Sequence, residues 1–97
     1  MAFRTNLDFL ETSTETLRAI AHPIRLAIVE LLHTKNEMSV TEVFTSLDIQ
    51  QAVASHHLRI MKSKNIVKVS RQGQNSIYSL ADPAVYDILP ILEKLLS

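Results

Sequence analysis

The spacing of apolar residues changes period twice along this chain, and that change constrains the fold more than any other feature. Up to about Ser63, apolar residues recur at three- and four-residue intervals, the period of a helix. From Asn65 to Arg71, Ile66, Val67 and Val69 alternate with Lys68 and Ser70, and Ile77, Tyr78 and Leu80 give Asn75–Leu80 a strand-like pattern as well. Between the runs lies Gln72-Gly73-Gln74, where Gly73 can take a positive φ at no steric cost. After Asp82 the helical period returns. The pattern predicts one β-hairpin set into an otherwise helical chain.

Local signals divide the helical part. Thr12-Ser13-Thr14-Glu15 reads as a capping box, with a first helix from Thr12 to about Ala21 and Leu17, Ile20 and Ala21 inward. His22-Pro23 ends it, because the residue before proline avoids helical geometry, while Pro23 suits the first turn of the next helix. That second helix, to about His33, is apolar almost all round and should be the most buried. Lys35–Met38 reads as a polar connection, and Ser39-Val40-Thr41-Glu42 as a second capping box opening a short third helix. After a turn at Asp48-Ile49-Gln50, a fourth helix spans about Gln51–Ser63. Asp82-Pro83 caps a last helix running to about Leu96. The expected fold is α+β and mostly helical: four helices, a hairpin and a C-terminal helix, the winged helix-turn-helix arrangement.

With 97 residues, this is read as a single domain. The helix-turn-helix takes about 39–63, the wing about 65–80 and a dimerisation helix about 83–96. A domain this small gains from burying a further face in a partner subunit. No run of about 18 apolar residues exists to span a membrane. Met1–Leu10 carries Arg4 and Asp8 and lacks the apolar core of a signal peptide, so a cytoplasmic location is expected. The absence of cysteine excludes disulfides, thiolate metal sites and cysteine catalysis. One glycine cannot build a glycine-rich phosphate loop, and no Ser, His or carboxylate grouping has catalytic spacing, so no enzyme is expected.

Net charge is zero, but unevenly spread. Residues 1–48 sum to −3 and residues 81–97 to −2, whereas residues 49–80 hold Arg59, Lys62, Lys64, Lys68 and Arg71 with no carboxylate. That is a localised surface for a polyanion. On a helical wheel Gln51, Ala52, Ser55, His56, Arg59, Lys62 and Ser63 fall within an arc of roughly 140°. Val53, Ala54, His57, Leu58, Ile60 and Met61 take the other side. Amide, hydroxyl, imidazole and guanidinium groups are those that bond base edges and phosphates in a major groove. His57, amid the apolar arc, reads as a core histidine bonded to a backbone carbonyl; His56 faces out as a DNA contact. Double-stranded DNA is the expected partner, met by Gln50, Gln51, Ala52, Ser55, His56, Arg59 and Lys62, with Arg71, Gln72 and Gln74 of the wing. A winged-helix protein-interaction module without a DNA target is the alternative.

The segments Leu17-Arg18-Ala19-Ile20-Ala21-His22-Pro23-Ile24-Arg25-Leu26, Ser39-Val40-Thr41-Glu42-Val43, Ser55-His56-His57-Leu58 and Ile77-Tyr78-Ser79-Leu80 resemble the ArsR/SmtB family of bacterial transcriptional repressors. The resemblance runs from about residue 15 to 90. It implies a homodimeric winged-helix repressor that binds a palindromic operator and releases it on a metal ion or another signal. Two positions depart from the family: Gln50 stands where Ser or Thr usually caps the recognition helix, and Ala52 where a hydroxyl residue often contacts a base.

The family's metal positions are also changed. Ser39 and Thr41 stand at the Cys-x-Cys positions, with Phe44 where a further cysteine can occur, and none offers a soft thiolate. Asp82 matches the first position of the family's other site, but Ala84 and Leu95 replace its histidines, and one carboxylate falls short of the four ligands zinc takes. No metal and no cofactor is expected; a repressor using an atypical site at His22 or His33 is a further alternative. In the last helix, Ala84, Val85, Ile88, Leu89, Ile91, Leu92, Leu95 and Leu96 form an apolar arc of about 160°. Pro90 lies on the polar side, where it bends the helix without interrupting the stripe. The stripe is expected to form a dimer interface with the first helix, from Leu17, Val85, Ile88, Leu89, Leu92 and Leu96.

Overall fold

The computed structural model describes residues 2–97, with side chains from Arg4 onward. A helical turn, α1 (Ala2–Thr5), leads into α2 (Leu7–Ile20). Asn6 caps α2, its Oδ1 accepting the Phe9 N–H at 3.2 Å. The expected start at Thr12 is therefore corrected: Thr12 lies mid-helix, and its carbonyl accepts the Thr16 hydroxyl at 3.0 Å. Ser13 and Thr14 likewise turn their hydroxyls back onto the carbonyls of Phe9 and Leu10. Such bonds make hydroxyl residues compatible with a helix interior and mask the cap signal. Only Ile20 of the three residues expected inward is buried; Leu17 and Ala21 are exposed, and Ala19 is buried instead.

The second helix of the core is α3 (Pro23–Lys35), with Pro23 in its first turn as expected. His22 caps it, Nδ1 accepting the Ile24 N–H at 3.0 Å. Asn36 closes it at φ 70°. The polar connection after it contains a strand, β1 (Glu37–Ser39). In α4 (Val40–Leu47) the capping box at Ser39 is complete: Ser39 Oγ accepts the Glu42 N–H at 3.1 Å and Glu42 Oε1 accepts the Ser39 N–H at 2.9 Å. The Ser39 backbone N–H first, and its hydroxyl after it, hold the Glu42 carboxyl below its usual value. Asp48 turns the chain at φ 54°, and Gln50 stands at the head of α5 (Gln51–Ser63).

Asn65, at φ 59°, is a turn residue rather than the first residue of a strand. β2 (Val67–Gln72) and β3 (Asn75–Leu80) then pair antiparallel from Val67↔Leu80 to Gln72↔Asn75, and Gly73 turns between them at φ 66°. β1 joins the far edge of β3, with Met38 opposite Tyr78, so the hairpin belongs to a three-stranded sheet of order β1-β3-β2. The single helix expected after Asp82 is two pieces: a 3-10 turn (Pro83–Asp87), capped by Asp82 Oδ1 at 2.8 Å, and α6 (Ile88–Leu96). Pro90 explains the division. Deeper in an α-helix its ring would strike the carbonyl four residues back and leave a hydrogen bond unmade. Starting the α-helix at Ile88 puts Pro90 in the first turn, where neither penalty applies.

The core lies between α3, α4, α5 and the sheet. Ile28, Val29, Leu32, Val43, Ala54, Leu58 and Met61 are at most 1% exposed, and Ile66 and Val67 close the sheet side. Burying each of the larger aliphatic side chains contributes about 1.5–3 kcal/mol. The 3-10 turn is held on α3 by a stack between His33 and Tyr86, with centroids 3.5 Å apart and planes 8° from parallel.

Candidate nucleic-acid interface

α5 is fixed by its apolar face and open on the other. Ala54, His57, Leu58 and Met61 are buried, Val53 and Ile60 half-buried, and the helix packs against α2, α3, α4 and β2. Gln51, Ala52, His56, Arg59, Lys62 and Ser63 are exposed, and Ser55 is half-buried. The polar arc read from the helical period is thus one continuous open face. Gln50 makes no side-chain cap bond, while Val53 and Ala54 donate to its carbonyl at 3.0 and 3.1 Å. The N–H groups of the helix's first turn are left without a side-chain acceptor, at the positive end of the helix dipole. Anionic oxygen is the natural complement of that arrangement.

The wing adds a second element. Arg71, Gln72, Gln74 and Asn75 are all exposed at its tip, and Gly73 has open space around it. The cations of residues 49–80 are mostly uncommitted. Lys64 pairs with Glu15 of α2 at 3.2 Å. Among the described residues, no carboxylate pairs with Arg59, Lys62, Lys68 or Arg71. Four unneutralised cations around an amide-rich helix and a hairpin tip can bind a phosphate backbone and present donors to base edges.

His57 is buried as expected, 6% exposed, but its partner differs. Its Nδ1 accepts from Arg25 Nε at 3.1 Å, where a backbone carbonyl was expected. The guanidinium is a donor only, so the ring must present a bare nitrogen to it. Burial lowers the His57 pKa from about 6.5, and His22, Arg25 and His56 lower it further.

Of the residues expected at a dimer contact, Leu17 and Leu96 are 52% and 84% exposed. Val85, Ile88 and Leu89 are half-buried against this chain's own core. Leu92 is half-buried and lines a cleft with Leu26, Tyr86 and Leu96. Ile91 and Leu95 point outward, at 56% and 73% exposed.

A helix-turn-helix domain family matches residues 20–70. The chain is 37% identical over 83 residues to the transcriptional repressor PagR of Bacillus anthracis, covering 86% of this chain and 83% of that one. The crystal structure of PagR superposes with a TM-score of 0.77 over 86% of this chain and 94% of its own. A transcriptional repressor SmtB homolog of Synechocystis is 34% identical over 83 residues, which are 86% of this chain and 62% of that protein. The chain belongs to the ArsR/SmtB family. Another similar structure, NolR from Sinorhizobium fredii, gives a TM-score of 0.82 at 30% identity over 94% of this chain and 90% of that one. As an ArsR/SmtB protein with a winged helix-turn-helix, the chain is a DNA-binding transcriptional regulator and not an enzyme.

Two of the positions compared with the family's metal ligands, and both histidines of the atypical alternative, have structural contacts. Ser39 is the cap of α4, and Asp82 caps the 3-10 turn. His22 caps α3 and His33 stacks on Tyr86. Among the described residues no three His, Asp or Glu side chains gather in a cluster able to hold a metal ion. The side chain that sequence reasoning left without a role is Arg25. Its signal was there: a lone cation on the inner stretch of a helix otherwise apolar from Ile24 to Val29.

Proposed function

We propose that this protein is a homodimeric repressor that occupies a palindromic operator in the cytoplasm. The exposed, carboxylate-free polar face of α5 carries the reading. Gln51, Ala52, Ser55, His56 and Arg59 face base edges in the major groove. Gln50, Lys62 and the first-turn N–H groups of α5 hold phosphate. Arg71, Gln72 and Gln74 reach the flanking backbone or the minor groove. Two such helices enter successive major grooves about 34 Å apart. The second copy is argued from Leu17, Ile91, Leu95 and Leu96, apolar side chains left exposed on α2 and α6. PagR, similar over most of the chain, is described as a transcriptional repressor.

Selection from a random duplex library tests the reading. The expected product is a two-fold symmetric site with half-sites one helical turn apart. Failure to enrich any sequence, with no binding to random duplex at low salt, would favour a protein-interaction module instead. The signal that releases the DNA is neither a thiophilic metal nor zinc at the family's positions, given Ser39, Thr41, Ala84 and Leu95. Zinc, cadmium and arsenite near one equivalent are therefore expected to leave the complex intact in a mobility-shift titration. Release by one of them would point to a site using His22 or His33.

A further inference from the structure

Arg25, half-buried on α3, joins three helices. From α3 its Nε donates to His57 Nδ1 on α5 at 3.1 Å. Its Nη1 faces the carbonyls of Arg18 and Ala19, at 3.3 and 3.4 Å, in the last turn of α2. The C-terminal end of a helix is its negative end, so a cation there is doubly placed. His22, at the α2–α3 junction, lays its ring 4.3 Å from that of His57. The next side chain along α5, His56, is on the open face. The strut from α2 to the recognition helix therefore ends one residue from a side chain placed against DNA.

We propose that Arg25 is a positioning residue for DNA recognition, fixing through His57 the roll of α5 relative to α2. This rests on the reading of α5 as the DNA-facing helix. The geometry makes the roll matter. Side chains reach about 5–6 Å from a helix axis, so a roll of about 10° displaces them by roughly 1 Å. Hydrogen-bonded base recognition does not survive such an error well. The strut also has a chemical condition. Arg25 only donates, so His57 must keep Nδ1 bare. A proton there sets N–H against N–H, adds a charge beside Arg25 and close to His22 and His56, and breaks the tie. When the tie is broken, α5 samples several orientations, and apparent affinity falls by the fraction of molecules in the competent one.

The test compares affinity for a duplex selected by the wild type with affinity for random duplex, alongside thermal unfolding. His57→Leu removes the acceptor and Arg25→Met removes the donor while keeping the aliphatic stem. Each is expected to lower the ratio of selected to random affinity by about fivefold or more. The double variant should fall no further, because the two side chains act as one unit. His57→Asn places an amide oxygen near the position of Nδ1 and does not titrate, so it should restore the ratio. Between pH 7.5 and 5.5 the wild type should lose more of the ratio than His57→Asn, a difference that isolates His57 because both proteins keep His22 and His56. A merely structural role would lower stability and both affinities together and would give no such pH difference. If His57→Leu does not fold, Arg25→Met carries the same comparison. A folded His57→Leu or Arg25→Met with the wild-type ratio overturns the proposal, as does a His57→Asn protein as impaired as His57→Leu. Failure of the wild type to select any duplex would overturn the DNA reading itself, a distinct result.

Discussion

Arg59 and Arg25 carry the same guanidinium and put it to opposite uses. Arg59 stands at the centre of the open arc of α5 with no carboxylate partner among the described residues. Arg59→Ala should leave thermal unfolding unchanged and weaken binding to the selected operator by about 1–3 kcal/mol, with specificity relaxed at one base position. An equal loss on every sequence would place Arg59 on phosphate instead. Arg25 spends its donors inside the protein, where the acceptor is a titrating ring. The His57 pKa is lowered in the folded protein, by burial first and by His22, Arg25 and His56 after it. The unfolded chain therefore binds the proton more readily. The His57 contribution to stability is complete above its ordinary value of about 6.5 and is lost as pH falls through the folded value below that. Urea unfolding at pH 7.5 and pH 5 should show a stability loss that is smaller in His57→Asn. An equal loss in both proteins would assign the acid sensitivity to other groups.

The elements divide according to how local their causes are. α5, the hairpin and the Ser39 capping box were legible in the sequence because period, turn glycine and cap chemistry act over a few residues. The outward face of α5 followed from the same period. α2 was misread at its start because Thr12-Ser13-Thr14-Glu15 matches a cap, while Asn6, six residues upstream, makes the actual capping bond. β1 is three residues long and is a strand only through its pairing with β3, some forty residues on. The split of the last helix follows from the Pro90 ring acting back on residue 86, four positions earlier. The Arg25–His57 bond joins residues 32 apart, so only the fold brings it about. α5 itself gives an element-scale prediction. Its cap residue Gln50 makes no side-chain bond to the first turn. Gln50→Asp should supply one and raise unfolding stability by about 0.5–1 kcal/mol. The same carboxylate would occupy the donors that face phosphate and add a like charge at the DNA surface, so affinity for all duplexes should fall. Unfolding and DNA titration moving in opposite directions would confirm that the bare cap serves binding; a parallel gain in both would refute it.

The molecule as a whole is less compact than its length requires. Its Cα radius of gyration is 14.4 Å, against about 12.5 Å for a compact chain of this size. The excess agrees with terminal elements that leave apolar surface uncovered. Leu7 and Leu17 of α2 are 71% and 52% exposed, and Leu95 and Leu96 of α6 are 73% and 84% exposed. The C-terminal stripe therefore divides its labour: Val85, Ile88 and Leu89 face this chain's own core, and Ile91, Leu95 and Leu96 face outward. Leu95 is the sharper place to test a dimer than the half-buried Leu92, because the protomer's core does not depend on it. Leu95→Glu should fold as the wild type does by circular dichroism and sediment as a monomer. Burial of a leucine contributes about 1.5–3 kcal/mol, and a two-fold axis loses it twice. The introduced carboxylate must also be desolvated or must push the helices apart. A monomer presents one α5 and half the phosphate contacts. Its affinity for the selected operator should fall toward that for random duplex, with a shallower dependence of log affinity on log salt. A folded Leu95→Glu protein that stays dimeric and keeps native affinity would move the subunit contact away from α6.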